Sequence, residues 1–198
     1  MNVLAFNGSA RKDGNTAKLI HFVFEELEKE GITTDLIQLA GTNIHGCRSC
    51  FGCFKSKNHK CAFDDDDVNT YIQKMVDADA IILASPVYFA NMSTELKALI
   101  DRVGFVNRAN GNMLRRKVGA AVVAARRAGA VFTHDAINHF FFISEMVVPG
   151  STYWNMGFGD VQNDTEGEKT MRDLGKNMAW LLKCIHTGSA KPKKALKP

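Results

Sequence analysis

The sequence predicts an α/β domain, a parallel β-sheet wound on both faces by helices. Three observations carry this reading. Apolar runs at Met1–Phe6, Asp79–Ser85 and Val118–Ala125 are short and nearly continuous, as strands covered on both faces must be. Between the strand signals, apolar residues recur at helical spacing, so strand and helix alternate along the chain. No internal repeat or linker divides the 198 residues, a length that suits one well-buried domain over residues 1–188.

Met1–Phe6 is the first strand. Asn7-Gly8-Ser9-Ala10-Arg11-Lys12-Asp13-Gly14-Asn15-Thr16 breaks its pattern, and Leu19, Ile20, Phe22, Val23 and Leu27 then mark the first helix. Gly31 closes that helix, and Thr34–Leu39 reads as the second strand. A cysteine-bearing loop, residues 46–63, follows. Asp64–Asp67 is read as the opening turn of a helix continued by Val68, Tyr71, Ile72, Met75 and Val76. Acids there complement the helix dipole by about 0.3–1 kcal/mol each, before their mutual repulsion is counted.

The third strand, Asp79–Ser85, ends in the turn Pro86–Ser93. Thr94–Val106 is helical, with Leu96, Leu99, Ile100 and Val103 on one face, and Asn107–Lys117 is a polar, basic connection. Val118–Ala125 is the fourth strand and ends in Arg126-Arg127-Ala128-Gly129. Ala130–Phe142 is helical, Glu145–Tyr153 is assigned to a fifth strand interrupted by Pro149-Gly150, and Asp164–Ile185 closes the domain as a helix. Cys184, inside that last pattern, is read as a small core residue.

Composition excludes several classes. The net charge of +4 comes from the segment after Gly188, where Lys191, Lys193, Lys194 and Lys197 stand; without them basic and acidic residues balance at 21 each. A neutral body argues against nucleic acid as a partner, and residues 189–198 read as a solvated, disordered tail. No stretch reaches the roughly eighteen apolar residues of a membrane span, and the start lacks a basic-then-apolar signal. A cytoplasmic protein is expected. Five cysteines in a reducing compartment point to metal, redox or catalytic roles.

In a sheet of this kind a ligand sits beyond the carboxyl ends of the strands, where strand order reverses. The turns 7–16, 86–93 and 125–129 would meet there. The first precedes a helix, whose unpaired N–H groups favour an anion. Ser9, Asn15 and Thr16 can donate further hydrogen bonds, and Arg11 charge-assisted ones. The turn lacks both the nucleotide-triphosphate ending and the three-glycine dinucleotide spacing. A phosphomonoester beside an aromatic turn and two arginines suits FMN more readily than NAD. Arg126, Arg127 or the backbone near Gly129 would stabilise the anionic reduced ring, and the adjacent His134 and Asp135 either reach the same crevice or simply start a surface helix.

Cys47-x2-Cys50-x2-Cys53-x7-Cys61 places four thiols within fifteen residues. Two-residue gaps let three thiolates curl around one cubane while the fourth arrives from across a loop. Structural zinc generally uses pairs separated by a dozen or more residues, so the packing favours iron–sulfur over zinc or free redox thiols. Gly46 and Gly52 give the backbone freedom to wrap, and Phe51 and Phe54 could exclude water.

The stretches NGSARKDGNT, CRSCFGC followed by Cys61 and FDDD, and ASPVYFANMSTELKALIDR resemble those of the iron–sulfur flavoproteins. These form part of the NADPH-dependent FMN reductase branch of the flavodoxin-like fold, and the resemblance covers about residues 1–186. It implies a five-stranded sheet in order 2-1-3-4-5, non-covalent FMN, a 4Fe-4S cluster on Cys47, Cys50, Cys53 and Cys61, and a homo-oligomer, a dimer or tetramer. By motif position Ser9, Arg11, Asn15 and Thr16 hold the FMN phosphate, and Pro86, Val87, Tyr88, Phe89 and Asn91 border the flavin. Arg126-Arg127-Ala128-Gly129 stands where the family has a glycine-rich stretch. The implied activity is FMN-dependent electron transfer with NAD(P)H or ferredoxin as redox partner. The rival readings are a cluster-free NAD(P)H-dependent flavin or quinone reductase, and a carrier between protein partners.

Overall fold

Burial of the apolar runs on both faces sets the architecture. The computed structural model describes residues 1–188, so the basic segment 189–198 lies outside the described residues. Five strands alternate with helices: β1 (Asn2–Asn7), α1 (Asn15–Lys29), β2 (Thr33–Gln38), α2 (Gly52–Ser56), α3 (Val68–Asp77), β3 (Ala80–Pro86), α4 (Thr94–Ala109), β4 (Val118–Ala125), α5 (Ala130–Ile143), β5 (Met156–Phe158) and α6 (Thr165–Thr187). All neighbours pair in parallel, in the order β2-β1-β3-β4-β5. The doubly wound flavodoxin-like order expected from the resemblance is therefore observed.

Successive side chains of a strand point to opposite faces, and the core divides accordingly. Leu4, Phe6, Ile81, Leu83, Ala121 and Val123 pack under α3, α4 and α5. Val3, Ala5, Ile82, Ala84, Ala120 and Val122 pack under α1 and α6. Where α1 and α6 cross, a Cβ on Gly175 would lie 2.7 Å from the Val23 carbonyl oxygen and 2.9 Å from Glu26 Cβ. Backbone cannot yield as a flexible side chain can, so Gly175→Ala is expected to destabilise the fold by about 1–3 kcal/mol. Chemical denaturation should show a lowered midpoint; an unchanged midpoint would mean that the helices are free to separate.

Three sequence expectations are corrected. The fifth strand is Met156–Phe158, not Glu145–Tyr153; Val147 makes only an isolated bridge to Val118. Pro149 has no N–H to donate, so a ladder cannot continue through it, and pairing resumes only where Met156 meets Val123. The acidic run does not form a helical turn: α3 starts at Val68, and Asp66 accepts from the Val68 amide at 3.1 Å while pairing with Arg102. Cys184 is exposed on α6, not in the core. Among the described residues no helix is long and apolar enough to cross a membrane.

Candidate functional site

Strand order reverses between β1 and β3, and the turns beyond their carboxyl ends are tied together. The Gly8 amide donates to the Ala84 carbonyl at 2.8 Å, and the Ser93 amide to Ser85 Oγ at 2.9 Å. The Val87 amide reaches back to the Ala124 carbonyl of β4 at 2.9 Å. Gly129, with φ of +86°, lies so close to the 86–91 turn that an added Cβ would stand 2.8 Å from Val87 Cγ1 and 3.0 Å from Ala90 Cα. The three turns expected to meet do share one rim.

The first turn is organised from within. Asn7 Oδ1 accepts from the Ser9 amide at 3.0 Å, and Ser9 Oγ accepts from the Arg11 amide at 3.1 Å, which leaves the buried Ser9 hydroxyl its own proton to donate. Helix α1 begins after Gly14, which offers no side-chain cap, and its first turn carries no acid. Its leading N–H groups are thus unsatisfied by side chains, as an anion site requires. Thr16 is buried at this helix start and Arg11 is exposed beside it. Asn15 uses one amide proton to brace the turn against the Gly159 carbonyl beyond β5, leaving a second for a ligand.

The second turn carries strain. Tyr88 and Asn91 exchange both backbone hydrogen bonds, at 2.8 and 3.2 Å, which forces the two central residues to positive φ: 45° for Phe89 and 66° for Ala90. Glycine or asparagine is the usual occupant of such positions, and strain of this kind concentrates at binding sites. Phe89 is fully exposed and Tyr88 nearly half so, so neither is a core aromatic. Pro86 and Val87 are half-buried behind them, and Asn91 is exposed with its Oδ1 accepting from the Met92 amide. Arg126 and Arg127 are exposed on the third turn. His134 is buried within hydrogen-bond distance of Asn138, and burial, against the pull of Asp135, lowers its pKa; Asp135 itself is exposed.

The cysteine loop forms a second centre. Cys47, Cys50, Cys53 and Cys61 line one narrow cavity with Phe63 and Arg102. Among the described residues no three His, Cys, Asp or Glu side chains are gathered as a single ion would need; the four thiols share the lining of one cavity. Burial pushes the Cys53 thiol up, and Cys61 and Cys47 add to the rise by repelling its thiolate. A multinuclear cationic core would relieve that repulsion. The backbone is bent to bring the thiols there, with positive φ at Ser49, Phe51, Lys57 and His59. A Cβ on Gly52 would meet Ala62 Cβ at 2.6 Å, which is why a glycine stands beside Cys53. Asn69 pins Cys61 by accepting from its amide at 2.7 Å and donating to its carbonyl at 3.1 Å. Phe51 and Phe54 are partly exposed and lean edge-on against Phe105, shielding one side of the loop.

Sequence reading missed the pair beneath this loop. Asp66 and Arg102 are almost fully buried, and Arg102 also donates to the Phe63 carbonyl at 2.8 Å. Burial opposes the charge of Asp66, but the guanidinium and the Val68 and His45 amides outweigh it and hold the carboxyl below its ordinary range. A signal existed: Arg102 follows Leu99 by three residues and precedes Val106 by four, on the apolar stripe of α4. The cysteine cavity touches α4 at Arg102, Phe105 and Val106, whereas the rim turn precedes Thr94. At 1.5 Å rise per residue the two centres are offset along α4 by roughly 12–18 Å. A mostly apolar groove of about 450 Å³ between α4 and α5 borders the cysteine loop, sharing Phe105 with the thiol cavity and lined also by Phe54.

Residues 1–160 match the family model for NADPH-dependent FMN reductase. An iron–sulfur flavoprotein of Methanocaldococcus jannaschii is 38% identical over 201 residues, covering 93% of this chain and 99% of the relative. One of Methanosarcina thermophila is 32% identical, covering 93% and 97%. Among solved structures, RosB with a bound 8-demethyl-8-formylriboflavin-5'-phosphate intermediate superposes with a TM-score of 0.77 at 16% identity, over 94% of this chain and 81% of that one. A flavodoxin from the Archaea superposes at 0.62 and 15% identity, over 92% and 99%. At such identities these two structures bear on the fold alone.

Proposed function

This chain belongs to the NADPH-dependent FMN reductase family, among its iron–sulfur flavoproteins, and is an FMN-dependent oxidoreductase; from that premise we propose that the rim holds the flavin and the cysteine loop a 4Fe-4S cluster. The observation that carries the flavin placement is the junction of three turns at the reversal of strand order, with an uncapped helix start in the first. When bound, FMN supplies hydride acceptance and single-electron release, chemistry that needs no protein nucleophile.

The residues have separate tasks. The Ser9 hydroxyl, Asn15, Thr16, the first N–H groups of α1 and the Arg11 guanidinium hold the phosphate. Tyr88 and Phe89, exposed on a strained turn, close over the ring and exclude water, while Pro86, Val87 and Asn91 wall its edge. Arg126, Arg127 and the backbone at Gly129 offset negative charge at the pyrimidine side. Cys47, Cys50, Cys53 and Cys61 would hold the cluster as thiolate ligands, and the cluster would supply one-electron chemistry. NAD(P)H or ferredoxin is the external redox partner, and the protein works as a homodimer or tetramer.

An anaerobic absorption spectrum with iron, zinc and flavin analysis tests this. About four irons per chain with one FMN is the expected result; stoichiometric zinc without iron would overturn the cluster. Fast turnover with free flavin or quinone marks a reductase, whereas reduction by ferredoxin alone marks a carrier. Replacing Asn15 and Thr16 together by alanine should release FMN and spare the fold. Hydrogen bonds to a charged group contribute about 1.5–3 kcal/mol each, so affinity should fall by roughly a hundredfold or more. Wild-type flavin content in that variant would remove the phosphate from this turn.

A further inference from the structure

Arg102 sits where charge is costly. It is 2% exposed in the middle of α4, and the side chain of its partner Asp66 is 1% exposed. A buried ion pair of this kind contributes little to stability compared with well-packed apolar residues, so its presence on an apolar stripe calls for another reason. The guanidinium is also incompletely used. One terminal nitrogen bonds Asp66 and faces the His45 carbonyl at 3.5 Å, and the other bonds the Phe63 carbonyl. The third nitrogen, Nε, is buried with no hydrogen-bond partner among the described residues, and an unmade buried hydrogen bond is destabilising.

The neighbour that could accept is at hand. Arg102 lines the same cavity as the four thiols. The Cys61 side chain lies within hydrogen-bonding reach of the guanidinium, beside Asp66. Hydrogen bonds to cluster sulfurs and positive charge beside them favour the more negative, reduced form and so raise its potential.

We propose that Arg102 is a positioning residue for the cysteine centre, donating its spare N–H to the Cys61 sulfur and thereby setting the reduction potential there, with Asp66 moderating its charge. This deepens the cluster reading and rests on it. The same fork fastens the His45 and Phe63 carbonyls, so the two ends of the loop and the sulfur environment are governed by one side chain.

The test is a set of anaerobic redox titrations, followed by electron paramagnetic resonance, on iron-analysed wild type, Arg102→Gln, Arg102→Lys and Asp66→Asn. Arg102→Gln should shift the cluster midpoint to more negative potential. Arg102→Lys, which keeps charge but not the fork, should shift it less. Asp66→Asn, which leaves the guanidinium unneutralised, should shift it to more positive potential. Variants that retain iron must fall in that order; equal midpoints, or iron lost from all three, would leave the pair a purely structural role and overturn the proposal. Wild-type protein without iron would instead overturn the cluster reading itself, and the two failures are therefore distinct.

Discussion

Replacing Cys50 by serine is expected to abolish iron binding and leave FMN in place. A serine hydroxyl is a poor ligand for iron in a thiolate cage, and the other three thiols would leave one corner of a cubane open to water. The flavin is spared because the two centres share little structure. The cysteine loop rests on the second half of α4 through Arg102, Phe105 and Val106, whereas the phosphate turn is fastened to β2, β3 and the turn after β5. The spectrum should lose its broad iron–sulfur absorption and keep the two flavin bands, with iron falling from about four per chain to near zero. Iron at wild-type level would remove Cys50 from the ligand set, and loss of FMN along with iron would show that the centres depend on each other.

Gly129→Val should have the opposite selectivity, emptying the flavin site while iron stays. A φ of +86° is a left-handed conformation that costs an ordinary L-residue about 1–2 kcal/mol, and a β-branched one more. The added Cβ would also press on Val87 Cγ1 and on Ala90 Cα. Ala90 Cα is backbone in the strained pair with Phe89, so it can yield only by opening the 86–91 turn. Each 1.4 kcal/mol is a tenfold change in affinity, and FMN should therefore bind at least about tenfold more weakly. Fluorescence titration of FMN into the apoprotein measures this, with circular dichroism to verify the fold. Unaltered affinity would separate the third turn from the flavin site.

Much of this molecule was legible from local chemistry. Strands β1, β3 and β4 are covered on both faces, so nearly every residue in them is apolar, and that pattern survives without knowledge of the neighbours. The polar turn before α1 and the four cysteines within fifteen residues are likewise local statements. The resemblance to iron–sulfur flavoproteins rested on the same stretches.

Long-range packing decided the remainder. Only pairing with Val123–Ala125 makes a strand of Met156–Phe158, which is too short to have its own signature. Asp66 reads as one acid among four until the fold brings Arg102, 36 residues away, against it. Asn15 reads as a phosphate donor, and the carbonyl it braces belongs to Gly159, 144 residues on. Cys184 follows a helical apolar pattern, yet among the described residues it is exposed.

The chain alone therefore determined the class of sheet, the meeting of three polar turns at its carboxyl rim and the grouping of four thiols in one loop, because backbone geometry and side-chain chemistry act over a few residues. Tertiary structure decided which polar groups are buried, which of them are paired, and how far apart the two centres lie. Those properties depend on segments distant in sequence, whose approach is set by helix packing and strand register.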